Sequence, residues 1–281
     1  MTFFDAHNHL QDAWLAPHRD RVFADLAALP LGAGVVNGTC ESDWADVAEL
    51  ARQHRCVRPS FGLHPWDVGN ASPQWREELQ SRLAADPSAA VGEIGLDRWI
   101  LDRAAPDDPR LAGLRRAPLD EQRAAFTWQL SLAAAGNRAV TIHCLEAWGP
   151  LAAVLRTSRR PARGFLLHAY GGSLELAREF AALGAYFSFN GYFLGPRHAA
   201  KRAVFRELPR DRLLVETDAP AMPMPPEFRR FELAPTDEGA VVNHPANIAA
   251  TYAALATLLG VPPDELGRQV AENFQRLFGP G

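Results

Sequence analysis

Residues 163–189 read RGFLLHAYGGSLELAREFAALGAYFSF, and this stretch contains one unit of the pattern that decides the fold. Two short apolar runs, 163–168 and 184–189, have the length of buried strands. Between them, apolar residues recur with the helical period of about 3.6 residues. Ser173 is suited to cap the start of this helix, and Gly184 is suited to end it. The stretch therefore predicts a strand, a helix and a second strand in succession.

The same alternation of apolar runs and helical segments continues through the chain. Further helices are predicted at 44–53, 73–85 and 119–135, and a pair of closing helices follows residue 244. Eight strand–helix units in alternation predict an α/β fold, the (β/α)8 or TIM barrel, with an open doubly wound sheet as the competing topology. The predicted strands are 2–6, 32–38, 57–62, 89–94, 138–143, 163–168, 184–189 and 212–217.

The composition is that of a globular protein with a full core. The 281 residues are 47% hydrophobic and 22% charged, so residues 1–281 are predicted to form one domain. A formal net charge of −4 provides no global basic field, so a nucleic-acid substrate would need a local patch or metal ions. Three irregularly spaced cysteines predict no disulfide framework, which favours a cytoplasmic location. No signal peptide, membrane span or obligate protein partner is expected.

Side chains with catalytic or metal-binding chemistry occur repeatedly where a predicted strand ends. The carboxyl ends of the strands form the active-site face of a barrel, so these side chains are predicted to meet there. Each one alone could be a packed or capping residue, but together they predict the wall of a metal-filled site. The set comprises His7, His9, His64, Glu93, His143, His168 and Asp218.

His7 and His9 are two residues apart at the end of the first strand. Side chains at positions i and i+2 of a strand point the same way, so both imidazoles can reach one ion. Asp5 lies on the same face and is predicted to orient one of the imidazoles. Asp218 ends the eighth strand, which neighbours the first strand in a closed barrel. It is therefore predicted to complete this ligand group.

Glu93 follows Gly92 at a strand end, where glycine lets the backbone pass close to a bound ion. Glu93 is predicted to bridge two divalent ions, and a surface turn is the alternative. His143 and His168 end the fifth and sixth strands and are predicted to hold the second ion with Glu93. Mixed nitrogen and oxygen ligands favour Zn, Mn or Co over Mg.

The predicted mechanism is hydrolysis by a metal-activated water. Asp218 is predicted to orient this water or to accept its proton, and Glu93 is the second predicted catalytic residue. His64 lies on the third strand, away from both ligand groups, and is assigned to a substrate contact such as a phosphate oxygen. Looser candidates for substrate contact lie at other strand ends, where a structural role is the alternative. They are Arg98, Tyr170 and Asn190.

Several motifs occur in the order found in one known family: DAHNHL at 5–10, GLHP at 62–65, GEIGLD at 92–97, LHAYGGS at 167–173 and RLLVETDAP at 212–220. Nearly end to end, the chain resembles the TatD family of metal-dependent deoxyribonucleases in the amidohydrolase superfamily. The resemblance implies a TIM barrel with two divalent ions that hydrolyses phosphodiester bonds, mostly exonucleolytically on single-stranded DNA. It implies that His7, His9, Glu93 and Asp218 hold one ion, and that Glu93, His143 and His168 hold the other.

The chain departs from the family pattern outside the predicted ligands. Ala219 replaces a serine, Leu145 replaces a basic residue, and His244 lies where the family has an Arg-Asn-Glu-Pro segment. These residues, and the long loops 98–118 and 219–245, are predicted to lie over the site and to affect substrate choice. Hydrolysis of a small-molecule amide, ester, lactone or phosphoester is therefore the alternative activity. A non-catalytic barrel is a third reading, which the complete set of ligands disfavours.

Overall fold

The computed structural model describes residues 1–279 and shows one eight-stranded parallel sheet. The strands neighbour one another in sequence order, whereas a doubly wound sheet reverses its strand order. The predicted TIM barrel is confirmed, and each predicted strand is present. The strands are β1 (Phe3–Asn8), β2 (Leu31–Asn37), β3 (Val57–Phe61), β4 (Ala90–Asp97), β5 (Val140–Leu145), β6 (Phe165–Leu167), β7 (Ala185–Asn190) and β8 (Leu213–Glu216).

The barrel closes where the segment after β8 meets the end of β1. The Asp218 amide donates to the His7 carbonyl at 2.9 Å, and the His9 amide donates to the Ala219 carbonyl at 2.7 Å. These two backbone hydrogen bonds bring residues from the first and last strands side by side. The first and last strands are therefore neighbours, as the predicted ligand group of His7, His9 and Asp218 requires.

A helix follows every strand, as the alternation predicts. The predictions at 44–53 and 119–135 agree with helices residue for residue, and the closing pair is also present. Ser173 caps its helix, because its hydroxyl accepts from the Leu176 amide at 3.3 Å. Within residues 1–279, no helix is long and apolar enough to cross a lipid bilayer. The helices are α1 (Arg19–Ala28), α2 (Trp44–Gln53), α3 (Trp75–Ala85), α4 (Trp99–Asp102), α5 (Leu119–Ala135), α6 (Trp148–Thr157), α7 (Leu174–Ala182), α8 (Ala199–Glu207), α9 (Ile248–Leu259) and α10 (Pro263–Phe278).

The closing helices cover the seam between β1 and β8. The Tyr252 hydroxyl on α9 is 3.0 Å from both the amide and the carbonyl of Phe4. On α10, the Phe274 ring lies 4.7 Å from the Phe4 ring, and the Asn273 side chain donates to the Leu213 carbonyl at 2.7 Å. Full burial of an aromatic side chain such as Phe274 stabilises a fold by roughly 1.5–3 kcal/mol. The helices therefore hold the first and last strands together.

Two long loops leave the active-site face, one after β4 and one after β8. In the loop 98–118, the Arg116 guanidinium donates to several backbone carbonyls, including that of Ala104 at 3.0 Å. The loop 219–245 contains one short 3-10 helix, Pro226–Phe228, and is otherwise irregular. The hydrogen bonds from Arg116 fix the loop 98–118, which has little secondary structure of its own.

Candidate metal centre

The predicted metal ligands converge at the carboxyl ends of five strands. Strands β4 and β5 carry their ligands within their length, whereas β6 and β8 end one or two residues before theirs. Every ligand is buried or half-buried, so these polar atoms are largely withheld from water and need partners of their own. The set is His7, His9, Glu93, His143, His168 and Asp218.

Glu93 lies in the middle of this set, and its two carboxylate oxygens face different imidazoles. Oε2 is 3.3 Å from the Nε2 atoms of both His7 and His9. Oε1 is 2.8 Å from His168 Nε2 and 3.0 Å from His143 Nδ1. A carboxylate that offers one oxygen to each of two ligand groups has the arrangement of a bridge between two ions.

The group on the Oε2 side, called the Oε2 cluster, consists of His7, His9 and Asp218. Asp218 Oδ1 is 3.4 Å from both Nε2 atoms, and those two atoms are 3.0 Å apart. The ligand atoms of the three residues lie within 4.8 Å of one another. Lone pairs held this close repel one another unless a proton or a metal ion lies between them. The cluster therefore has the donor atoms and the spacing that a divalent ion requires.

The group on the Oε1 side, called the Oε1 cluster, contains His143, His168 and also His64. His64 Nε2 is 3.4 Å from Glu93 Oε1, and its ring centroid is 4.5 Å from that of His143. The prediction that His64 lies away from both ligand groups is therefore wrong. The His64 amide donates to the Thr39 carbonyl at 2.8 Å, so the segment after β3 folds against the segment after β2. This turn directs the imidazole inward.

Contacts outside the clusters orient two of the imidazoles. His9 Nδ1 is 2.8 Å from the Asn37 carbonyl, so Nδ1 carries the proton and Nε2 keeps its lone pair. His143 Nε2 is 3.0 Å from Asp97 Oδ2, which leaves His143 Nδ1 to face Glu93. Asp97 was not predicted as a site residue, although it ends the GEIGLD motif. Its role depends on a side-chain contact that strand spacing does not reveal.

Asp97 is fully buried and receives several hydrogen bonds. Trp66 Nε1 donates to Asp97 Oδ2 at 2.7 Å, and the Ile100 amide donates to Oδ1 at 3.1 Å. Burial would raise the pKa of Asp97, but the hydrogen bond and charge of His143, together with the hydrogen bonds from Trp66 and the Ile100 amide, keep this pKa below its usual value. An ionised Asp97 holds His143 in one tautomer. Trp66 is itself stacked on Trp99 of α4, with 6.0 Å between the ring centroids.

The prediction that Asp5 orients an imidazole is wrong. The Asp5 carboxylate accepts from the Thr217 hydroxyl at 2.6 Å and from the Thr217 amide at 3.0 Å. Burial raises the pKa of Asp5 to about 7. Asp5 therefore ties β1 to the segment after β8 and fixes the backbone next to Asp218. His7 Nδ1 is buried and has no hydrogen-bond partner in the part of the chain that the structure describes.

The charges of the centre favour a bound cation. Burial would raise the pKa of Glu93, but the facing imidazoles of His168, His64 and His7 hold it well below its usual range. Burial would lower the pKa of His168, but Glu93 raises it well above its usual value. A divalent ion supplies the same positive charge as these protons and leaves the nitrogens free to act as ligands. The residues present therefore fit divalent metal binding.

Two of the predicted substrate contacts are buried and have structural partners. Tyr170 is 1% exposed, and its hydroxyl donates to the Ser173 carbonyl at 2.8 Å. Asn190 is fully buried, and its side-chain nitrogen donates to Glu216 Oε1 at 3.1 Å. The prediction of substrate contact is wrong for both residues, because neither side chain has surface that a substrate could reach.

Arg98 and Leu145 lie next to each other at the ends of β4 and β5, where the Arg98 amide donates to the Leu145 carbonyl at 2.9 Å. The Arg98 side chain is 45% exposed and pairs with Asp102 at 2.7 Å. Leu145 is 39% exposed. Substrate contact by Arg98 remains a prediction. Leu145 places an exposed apolar side chain on the active-site face.

The other two departures from the family pattern are buried. His244 Nε2 is 3.0 Å from Asp25 Oδ2, and His244 Nδ1 accepts from the Ala246 amide at 3.0 Å. His244 therefore links the segment before α9 to α1, and the prediction that it lies over the site is wrong. Ala219 is buried at the seam, where its carbonyl accepts the His9 amide.

Comparison with known proteins connects this site to a family. The family model described as TatD related DNase matches residues 4–279. The chain belongs to this family. The uncharacterized metal-dependent hydrolase YjjV of Escherichia coli is 30% identical to it over 278 residues, which cover 98% of this chain and 97% of YjjV. The 3'-5' ssDNA/RNA exonuclease TatD of Citrobacter koseri is 28% identical over 281 residues, which cover 98% of each chain.

Solved structures of TatD proteins agree with the fold. The crystal structure of the TatD homologue YjjV from Escherichia coli superposes with a TM-score of 0.83 at 28% identity, covering 99% of this chain and 98% of that one. A TatD-family hydrolase from Entamoeba histolytica gives a TM-score of 0.80 at 16% identity with the same coverage, which shows the fold alone. This TatD-family chain is a metal-dependent hydrolase.

Proposed function

We propose that this TatD-family hydrolase cleaves the phosphodiester bonds of single-stranded DNA from an end and uses two divalent ions. The observation that carries the proposal is the position of Glu93, whose oxygens face the Oε2 and Oε1 clusters at 2.8–3.4 Å. Two ions bridged in this way suit displacement at phosphorus, because the attacking and leaving oxygens both need charge stabilisation. The Citrobacter koseri relative is named as a 3'-5' ssDNA/RNA exonuclease, which supports a nucleic-acid substrate.

The proposed ligands of the two ions share Glu93. One ion would be held by His7, His9, Glu93 and Asp218, and the other would be held by Glu93, His143 and His168. Mixed nitrogen and oxygen ligands favour Zn, Mn or Co over Mg. Burial is the main reason that the pKa of His64 lies below its usual value. A neutral His64 within the Oε1 cluster, beside His143, can donate a hydrogen bond to a phosphate oxygen.

The bound ions supply Lewis-acid chemistry, which makes water a nucleophile at neutral pH and offsets the negative charge of the phosphate. Asp218 directs Oδ1 at the imidazoles of His7 and His9. Its second oxygen, Oδ2, would orient the attacking water and accept its proton. Asp5 holds the backbone of Thr217 and so keeps the neighbouring Asp218 in place.

We also propose the domain and the compartment in which the reaction occurs. We place the whole reaction in one domain of residues 1–281, in the cytoplasm, and the three free cysteines fit a reducing compartment. The small-molecule alternative needs a closed apolar pocket formed by Trp66, Trp99 and Phe228. Phe228 is 37% exposed, so its ring is not enclosed as a closed pocket requires.

Competition between substrates tests the proposed function. The metal-loaded protein is incubated with an end-labelled single-stranded oligonucleotide together with a panel of amides, esters, lactones and small phosphoesters. We expect progressive shortening of the oligonucleotide from one end, and an Asp218→Asn variant that is slower by roughly a thousandfold or more. An intact oligonucleotide beside a hydrolysed small molecule would replace the proposal with the alternative activity.

A further inference from the structure

Four basic side chains that have no carboxylate partner among residues 1–279 lie together after β7. They are Arg197, His198, Lys201 and Arg202, called here the β7 patch. We propose that the β7 patch binds backbone phosphates of single-stranded nucleic acid next to the phosphodiester that is cleaved. This inference rests on the proposed function and names the part of the protein that holds the rest of the substrate.

The position of the β7 patch is on the active-site face. β7 lies between β6 and β8 in the sheet, so its loop leaves the barrel between the strands that present His168 and Asp218. The ammonium of Lys201 lies against the loop after β6, since a Cβ placed on Gly171 would be 3.0 Å from Nζ. Gly171 is three residues after His168. A polymer whose scissile phosphate lies at the metal centre would therefore pass close to Lys201.

The side chains of the β7 patch are fixed by aromatic rings and carbonyls. The Lys201 ammonium is 4.8 Å from the centroid of the Phe193 ring, and it has no hydrogen bond within residues 1–279. The Arg197 guanidinium stacks on the Tyr192 ring at 5.3 Å and also donates to the Tyr192 hydroxyl. These contacts hold the two side chains in place but leave their positive charges uncompensated.

Arg202 and His198 complete the β7 patch. Arg202 donates to the carbonyls of Phe193 and Gly195, at 2.5 Å and 2.7 Å, and so shapes the loop itself. Burial lowers the pKa of His198, and the positive charges of Lys201, Arg197 and Arg202 lower it further. The charges in this patch therefore repel one another, and a bound anion would relieve that repulsion.

Several other arginines at the surface pair with carboxylates. Arg156 pairs with Glu179 at 2.6 Å, and Arg115 pairs with Glu121 at 2.6 Å. Such pairs cancel charge locally, whereas the β7 patch keeps its charge available to a ligand. Because the chain carries a net charge of −4, attraction of a polyanion depends on a local patch of this kind.

The test measures how salt weakens binding of a fluorescent single-stranded oligothymidylate to the metal-loaded protein. We expect the Arg197→Gln/Lys201→Gln double variant to bind less tightly than the wild type. The slope of log Kd against log salt concentration should fall by roughly 1.4, because each phosphate contact with a single strand contributes about 0.7. In turnover, KM for the oligonucleotide should rise several-fold while kcat changes little, since the lost contacts are present before and during the reaction.

Two control variants separate charge from packing and position. Arg268→Gln removes one charge from α10, where Arg268 lies beside Met1 and Thr2 at the opposite, amino-terminal end of the barrel. This variant should keep the wild-type slope. Lys201→Arg keeps the charge and should therefore keep most of the wild-type slope. If Lys201 acted only through packing, this variant would lose the slope as the double variant does.

The outcomes for the β7 patch and for the proposed function can be told apart. Equal slopes for the double variant and Arg268→Gln would overturn the β7 patch even if the protein cleaves DNA. Failure of the wild type to hydrolyse any nucleic acid would overturn the proposed function. The binding slope would still decide about the patch in that case, since the measurement needs no turnover.

Discussion

The Oε2 cluster is positioned mainly by the backbone, whereas the Oε1 cluster depends on additional side chains. On the Oε2 side, the hydrogen bonds between Asp218 and His7 and between His9 and Ala219 at the barrel seam set the ligand positions. On the Oε1 side, the buried carboxylate of Asp97 orients His143. One ion site therefore depends on closure of the barrel, while changes outside the ligands can weaken ion binding at the other.

The largest expected effect comes from the residue that both clusters share. Replacing Glu93 by Gln removes the charge that faces both groups of imidazoles, so both ions should bind weakly and activity should fall by roughly a thousandfold or more. Initial rates on single-stranded DNA and the metal content of the purified protein measure this. A variant that keeps one tightly bound ion and substantial activity would argue against a bridging role for Glu93.

Removal of the ions should affect activity as strongly as Glu93→Gln does, and it should also lower stability. A chelator should abolish activity and lower the thermal midpoint of the wild type, because ligands at about 100 times their Kd stabilise the folded state by roughly 2.7 kcal/mol. The Glu93→Gln variant serves as the control, and the chelator should change its midpoint much less. An equal shift in the two proteins would mean that the ions act elsewhere in the chain.

A change at Asp97 should affect the two clusters unequally. Asp97→Asn removes the charged acceptor of His143 and should weaken the binding of the ion on the Oε1 side by about 10- to 100-fold. The affinity for the other ion should be retained. Titration of the metal-free protein with Mn or Zn checks this. Asp102→Asn is a matched control, because Asp102 is an exposed carboxylate whose ion-pair partner is Arg98. An equal loss of affinity for both ions would contradict the difference between the clusters.

The smallest effect is expected at Trp66. Trp66→Phe keeps an aromatic ring next to Trp99 but removes the N–H that donates to Asp97 at 2.7 Å. A hydrogen bond to a charged group contributes about 1.5–3 kcal/mol, and only part of it should reach the metal site through Asp97 and His143. We expect a loss of activity of about tenfold or less, measured as kcat on DNA. A loss as large as that of Glu93→Gln would show that Trp66 acts directly on the substrate.

The fold could be predicted from the sequence because its determinants are local. The alternation of apolar runs and helical segments sets eight strands in order, and the predictions for α2 and α5 agree with the structure residue for residue. Ligands within strands, such as Glu93 and His143, could be placed on the active-site face by strand alternation alone.

Two of the errors, at Tyr170 and His64, occur where regular strand geometry ends. β6 stops at Leu167, and Ala169 has a positive φ of 43°, so the chain turns Tyr170 away from the site and against Trp148 at 4.9 Å. His64 was misplaced for a similar reason, because it lies in the irregular segment after β3. Partners of the ligands, such as Asp97, depend on contacts between side chains, which no single-residue pattern reports.

The number of bound ions tests the central claim most directly. Purified protein is loaded with Mn or Zn, freed of excess metal and analysed for metal content, with the wild type and the Glu93→Ala variant measured together. A centre bridged by Glu93 predicts two ions per chain in the wild type and loss of both in the variant. One ion per chain in the wild type, unchanged by Glu93→Ala, would contradict the account.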